Sequence, residues 1–128
     1  MNIEHVAFNV KDPVGMARWY VANLGMRIVF QGPPPQHGHF LADQAGRSMV
    51  EIYHNHNASV PDYASMDPAI LHLAFSTDEV EAARQRLLHA GATPAGEVVR
   101  NDAGDVIAIV RDPWGLPVQL VRRGKPLL

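Results

Sequence analysis

Two segments of the sequence carry a histidine at the same position of a strand-like pattern. His5 lies in the segment 3–10 and His72 in the segment 70–77, and both alternate in the way that predicts a β-strand. Aligned at an offset of 67 residues, the distance from His5 to His72, their first eight positions share Ile, His, Ala and Phe. An offset of about half the chain length predicts two structurally similar halves.

A polar residue interrupts an apolar strand in each half. Glu51 and Gln119 are each flanked on both sides by aliphatic residues. A carboxylate in such a place is costly unless it is paired or metal-bound. Together with His5 and His72 these residues offer two imidazoles, one carboxylate and one amide oxygen, a donor set that suits a divalent transition metal such as Ni, Co, Zn, Fe or Mn. The alternative is two hydrogen-bonded pairs, His–Glu and His–Gln, that line an empty cavity.

The elements that must position these residues follow the order βαβββ twice. Periodicity and turn residues predict helices over 13–23 and between 78 and 91. In the first helix Ala17, Tyr20 and Val21 belong to the expected buried stripe. Strands are predicted over 3–10, 26–30, 37–42, 48–53, 70–77, 97–100, 105–111 and 117–122. We expect one domain over 1–128, with module 1 at about 1–54, a linker at about 55–68 and module 2 at about 69–123.

Composition narrows the functional classes. The chain has 128 residues, a formal net charge of -2 and no cysteine. The absence of cysteine excludes disulfides and thiolate metal sites, and the charge argues against nucleic acid as a partner. No apolar run approaches the ~20 residues that a membrane span needs, and the N-terminus lacks the pattern of a secretory signal. We therefore expect a cytoplasmic protein with no membrane partner and a small-molecule substrate.

Several of these motifs together resemble the vicinal oxygen chelate superfamily. That superfamily includes glyoxalase I, bleomycin-resistance proteins, methylmalonyl-CoA epimerase and extradiol dioxygenases. The motifs that carry the resemblance are Ile3–Phe8, Trp19–Tyr20, Leu24–Met26, Val50–Ile52, Leu71–Phe75 and Asp112–Leu120. The resemblance implies an α+β fold of two βαβββ modules, related by a pseudo-twofold axis, whose mixed sheet curls around a central metal cavity.

The resemblance also implies roles for individual residues. The four metal-ligand positions of bacterial glyoxalase I match His5, Glu51, His72 and Gln119, and Glu51 is then both ligand and catalytic base. Three further residues are expected to bind substrate. Asn55 matches a substrate-contacting asparagine, Asn9 stands where that enzyme has an arginine for glutathione, and Tyr53 shares a strand face with Glu51.

The expected activity is that of a metal-dependent, glyoxalase-like lyase or isomerase. Its substrate would be a small oxygen-chelating molecule that reacts through an enediolate-type intermediate, and the protein would be a homodimer. Because Gln119 replaces the usual glutamate and cannot accept a proton, activity on glutathione hemithioacetals is expected to be weak or absent. The alternatives are a ligand-sequestering protein of the bleomycin-resistance type, an epimerase, or an extradiol-dioxygenase-like enzyme.

Overall fold

A computed structural model describes residues 1–128 as two compact units, one over 1–61 and the other over 62–128. The boundary between Pro61 and Asp62 falls inside the segment predicted as a linker. No helix of the chain has the length and apolar character needed to cross a membrane.

The first unit contains the predicted βαβββ order. Its elements are β1 (His5–Asn9), α1 (Pro13–Leu24), β2 (Arg27–Gln31), β3 (His39–Ala42) and β4 (Met49–Tyr53). The strand order in the sheet is β1-β4-β3-β2, in which β1 and β4 are parallel and the other neighbours are antiparallel. The crossover through α1 makes the parallel pairing possible, since two parallel strands cannot be joined by a tight turn.

Helix α1 covers one face of this sheet. The Asp12 side chain accepts a hydrogen bond from the backbone N–H of Gly15 at 2.9 Å, and Pro13 occupies the first helical position, so the start of the helix is sharply defined. The apolar residues buried in this unit include Phe8, Val10, Met16, Ala17, Tyr20, Leu41, Val50 and Ile52. Glu51 alternates with Val50 and Ile52 on β4, so it lies on the opposite face and stays half-buried.

The second unit repeats this arrangement with one additional short strand. Its elements are β5 (Leu73–Ser76), α2 (Val80–His89), β6 (Thr93–Pro94), β7 (Val99–Arg100), β8 (Val106–Arg111) and β9 (Pro117–Arg122). The strand order is β5-β9-β8-β6, and β7 also pairs with β8. The prediction of one strand over 97–100 therefore missed β6. The buried apolar residues include Val80, Ala83, Leu87, Val106, Ala108, Val110, Val118 and Leu120.

Strand register confirms the internal repeat. In the first unit β1 pairs in parallel with β4 so that Ala7 lies opposite Glu51. In the second unit β5 pairs in parallel with β9 so that Ala74 lies opposite Gln119. Ala7 and Ala74 both stand two residues after the repeated histidine. The two polar strand residues thus occupy equivalent places in two sheets of the same topology, as the sequence predicts.

A tight turn leads into β9 and sets the position of Gln119. The Asp112 carboxylate accepts hydrogen bonds from the backbone N–H groups of Trp114 and Leu116, each at 2.9 Å. Gly115 has φ +90°, and a Cβ built on it would lie 2.7 Å from the Cβ of Ala64 and 2.8 Å from its backbone. Only glycine fits here, because both the backbone conformation and the close approach of Ala64 exclude a side chain.

Gly115→Ala is expected to lower the free energy of unfolding by roughly 2–4 kcal/mol, the sum of backbone strain and overpacking. Gly96→Ala is the matched control, because Gly96 has φ +91° but no atom within 4 Å of an added Cβ. It should cost only the strain, roughly 1 kcal/mol. Urea denaturation of both variants measures the difference, and equal losses would contradict the close approach.

Candidate active site

The structure brings His5 and Glu51 together on the open face of the first sheet. His5 Nε2 lies 3.5 Å from Glu51 Oε2, and the two side chains are 36% and 23% exposed. They stand on neighbouring strands, β1 and β4, on the face away from α1. The polar pair predicted from the sequence for this half is therefore present, and it is accessible to a small molecule.

Glu4 controls the protonation and orientation of His5. Its carboxylate contacts Nδ1 of His5. The hydrogen bond that His5 donates to Glu4 is the largest cause that raises the pKa of His5. Desolvation opposes it, and the negative charges of Glu4 and Glu51 add to it. With Nδ1 donating to Glu4, Nε2 is the ring nitrogen that faces Glu51. This carboxylate–histidine arrangement is the one that orients imidazole ligands toward metals.

His72, the equivalent histidine of the second unit, also uses its Nδ1 in a hydrogen bond. It lies immediately before β5, where it is exposed, and its Nδ1 lies 2.7 Å from the backbone carbonyl of Pro68. A carbonyl accepts only, so Nδ1 carries a proton and donates to it. Gln119 is half-buried on β9 and shares its strand face with Pro117 and Val121, which are both buried. Each unit thus contains one imidazole whose Nδ1 makes a hydrogen bond and one half-buried side-chain oxygen.

The chemistry of these donors fits a transition metal. Two ligands that each lie about 2.1 Å from one ion are separated by roughly 3.0–3.5 Å, and the 3.5 Å between His5 Nε2 and Glu51 Oε2 agrees with this. Of the four predicted ligands, His5 and Glu51 lie in the first unit and His72 and Gln119 in the second. No group of three or more histidine, cysteine, aspartate or glutamate side chains that could hold a metal is found.

Asn9 holds the loop that follows β4. Its side-chain amide donates to the carbonyl of Ala58 at 3.1 Å and, at 3.4 Å, to those of Asn55 and Ser59. Its Oδ1 accepts from the backbone N–H of Asn55 at 2.8 Å. Asn9 is only 9% exposed, so both ends of its amide are used inside the protein. The substrate contacts expected for Asn9 and Asn55 stay predictions, while this anchoring role was not anticipated.

Tyr53 lies opposite Asn9 in the register of β1 and β4 and is half-buried. It follows Glu51 on the same face of β4, as predicted from strand alternation. Its expected role in substrate binding stays a prediction.

Two phenylalanines near the polar pair were missed by sequence reasoning. The ring of Phe40 lies 5.3 Å from the ring of His5, in an edge-to-face arrangement, and the ring of Phe30 lies 5.9 Å from that of Phe40. Alternation places Phe40 on the face of β3 opposite His39, but only the register, in which Phe40 lies opposite Glu51, shows that this is the face of the polar pair. Glu4 was also missed, although its position beside His5 is a direct signal.

The chain belongs to the Glyoxalase/Bleomycin resistance protein/Dioxygenase superfamily, whose family model matches residues 2–120. This match confirms the resemblance drawn from the sequence motifs. It fits a mixed α+β chain with two sheets of repeated topology.

Relatives within this superfamily carry more than one kind of name. The chain is 28% identical to the lactoylglutathione lyase of Haemophilus influenzae, with 94% of the chain and 92% of the relative covered. It is 27% identical to a protein of Brassica oleracea var. gemmifera that is also named as a lactoylglutathione lyase, of which it spans only 44%. TnmS3, an antibiotic binding protein from Streptomyces sp. CB03234, shares the fold with a TM-score of 0.73 at 19% identity, and 96% of both chains is covered.

Replacing Asn9 by alanine is expected to lower the free energy of unfolding by about 1–3 kcal/mol, because the N–H of Asn55 and the carbonyl of Ala58 lose their buried partner. Hydrogen exchange should become faster at residues 55–59. Asn57→Ala, a change at an exposed position of the same loop, should stay within about 0.5 kcal/mol of the parent. Unchanged exchange in the Asn9 variant would contradict the anchoring role.

Proposed function

We propose that this protein is a metal-dependent, glyoxalase-like lyase or isomerase acting on a small substrate that presents neighbouring oxygen atoms. The observation that carries the proposal is the distance of 3.5 Å between His5 Nε2 and Glu51 Oε2. Glu4 contacts the other ring nitrogen of His5, Nδ1. Further support comes from the equivalent residues His72 and Gln119 and from relatives named lactoylglutathione lyase.

In this proposal His5, Glu51, His72 and Gln119 hold one divalent transition metal ion, drawn from Ni, Co, Zn, Fe and Mn. When bound, such an ion supplies Lewis-acid polarisation of a substrate oxygen. Glu4 keeps the His5 ring in the orientation that presents Nε2. Glu51 removes a proton from one substrate carbon and returns it to the neighbouring carbon, so that the substrate passes through an enediolate-type intermediate.

Gln119 determines which side chains can take part in this proton transfer. An amide oxygen ligates a metal but accepts no proton at neutral pH, so Glu51 alone must serve both carbons. An uncharged ligand also leaves the site about one unit more positive than a second glutamate would, which lowers the basicity of Glu51. Asn9, whose amide is engaged with the loop after β4, brings no charge for binding glutathione. A substrate other than a glutathione conjugate follows from both features.

A second candidate is a protein that sequesters a ligand without chemistry. The observation that favours it is the fold shared over almost the whole chain with an antibiotic binding protein. Metal content separates the two candidates, because sequestration needs no metal-bound base.

We expect about one divalent metal ion per chain after loading with nickel, cobalt or zinc, and loss of that metal in His5→Ala and in His72→Ala. His89→Ala is the matched control, since His89 is an exposed histidine on α2 whose Nδ1 contacts the Gln85 carbonyl. Elemental analysis by mass spectrometry after gel filtration gives the ratio. Wild-type protein that remains metal-free under all three metals would leave sequestration as the function.

Gln119→Glu is expected to raise turnover of the glutathione hemithioacetal of methylglyoxal by on the order of 100-fold, because it supplies a second base. The wild-type rate should lie well below the ~10 s⁻¹ of an average enzyme. The gain should appear in kcat more than in KM, since Asn9 is unchanged. A variant that binds metal normally and is no faster would contradict the role given to Gln119.

We also propose that the protein is a homodimer. Strand β1 is an edge of its sheet and leaves Val6 51% exposed, with Ile3 just before it 73% exposed. Apolar side chains along a free strand edge favour pairing with another chain. Light scattering at micromolar concentration should give twice the chain mass of 14.1 kDa, and a mass of one chain would refute the dimer.

A further inference from the structure

A β-bulge at Val29 determines where the side chain of Phe30 points. Ile28 pairs with Leu41, but two residues later Phe30 pairs with Phe40, so the register shifts between Ile28 and Phe30. In an unbroken antiparallel ladder Phe30 would lie opposite residue 39 and share the face of Ile28. The extra residue moves Phe30 to the other face, which is the recurrent effect of bulges beside functional sites.

With its side chain on this face, Phe30 completes a row of side chains across the whole first sheet. The register places Phe30 opposite Phe40, Phe40 opposite Glu51, and Glu51 opposite Ala7. All four side chains lie on the face away from α1. The row therefore runs from the edge strand β2, through two aromatic rings, to the carboxylate that the proposed mechanism uses.

The rings in this row are spaced for aromatic contact and remain open. The centroid distances of 5.3 Å from His5 to Phe40 and 5.9 Å from Phe40 to Phe30 lie in the range of edge-to-face pairs. Phe30 is 57% exposed, so much of its ring is in water. Phe40 contacts His5, a proposed metal ligand, and Phe30 extends the apolar surface from there. Such a surface suits a planar substrate ring whose neighbouring oxygen atoms lie at the metal site.

We propose that Phe30 and Phe40 form the specificity surface of the site and that the substrate carries an aromatic ring directly beside its metal-binding oxygens. This inference rests on the proposed function for the placement of those oxygens. The ring would pack on Phe40 and Phe30, while the oxygens lie at His5 and Glu51.

Two hydroxamates that chelate metals alike test the proposal. Benzohydroxamate carries the phenyl ring and acetohydroxamate carries a methyl group in its place. Calorimetric titration of the nickel-loaded protein should show benzohydroxamate binding about 10-fold or more tightly. Phe30→Ala should reduce that preference at least fivefold and leave the Kd of acetohydroxamate unchanged. Phe30→Leu, which keeps apolar area without the ring, should fall between the two.

Ile28→Ala is the matched control, because Ile28 lies on the same strand, is 40% exposed and faces the opposite side. It should leave both affinities unchanged. A preference that survives Phe30→Ala would overturn the proposal. The proposal would also be overturned if Phe30→Ala dissociated the dimer while the preference persisted, because Phe30 would then lie in an interface between two copies of the chain.

The same pair of ligands separates this inference from the proposed function. If the protein retains no metal, saturation-transfer NMR with millimolar ligand compares the two hydroxamates on the metal-free chain. Phenyl signals that appear with wild type and vanish with Phe30→Ala would support the aromatic surface while the metal chemistry fails. Absence of phenyl signals from the wild type would overturn the aromatic surface itself.

Discussion

The parallel pairing of β1 with β4 is the constraint on which the first half of the site depends. These strands are far apart in sequence and meet only because α1 returns the chain to the sheet as a crossover. Their register places Glu51 beside the histidine-bearing strand, and a shift by one residue would turn it toward α1. The distance of 3.5 Å between His5 and Glu51 is therefore a property of the sheet rather than of either residue alone.

The apolar core of each unit lies on one face of its sheet, the face from which Glu51 and Gln119 alternate away. Apolar residues such as Leu41 and Ile52 in the first unit, and Val110 and Val118 in the second, are fully buried. Burial of this area supplies the main favourable term in folding, so the opposite face is free to carry polar groups and exposed rings. Glu51 and Gln119 are tolerated within apolar strands because alternation places them on that second face.

The superfamily places binding proteins and enzymes on one fold, and the difference must lie in the site. Of the two residues at equivalent places in β4 and β9, Glu51 is a carboxylate and Gln119 is an amide. A carboxylate at position 51 and an amide at position 119 make two similar halves chemically unequal. This inequality, together with the aromatic row, shifts the expected substrate away from glutathione conjugates.

The sequence by itself determined the order of elements, the repeat and the polar residues that interrupt the strands, because strand and helix periods and the repeat offset are local or self-comparing signals. Tertiary structure decided three other things. Val21, predicted to be buried, is 39% exposed, because the buried side of α1 is formed by Met16, Ala17 and Tyr20 and Val21 lies at its margin. Asn9 became the anchor of a loop about fifty residues away, and Phe30 was re-aimed by a bulge. Each depends on how separate elements of the fold pack or pair with one another, which no local pattern encodes.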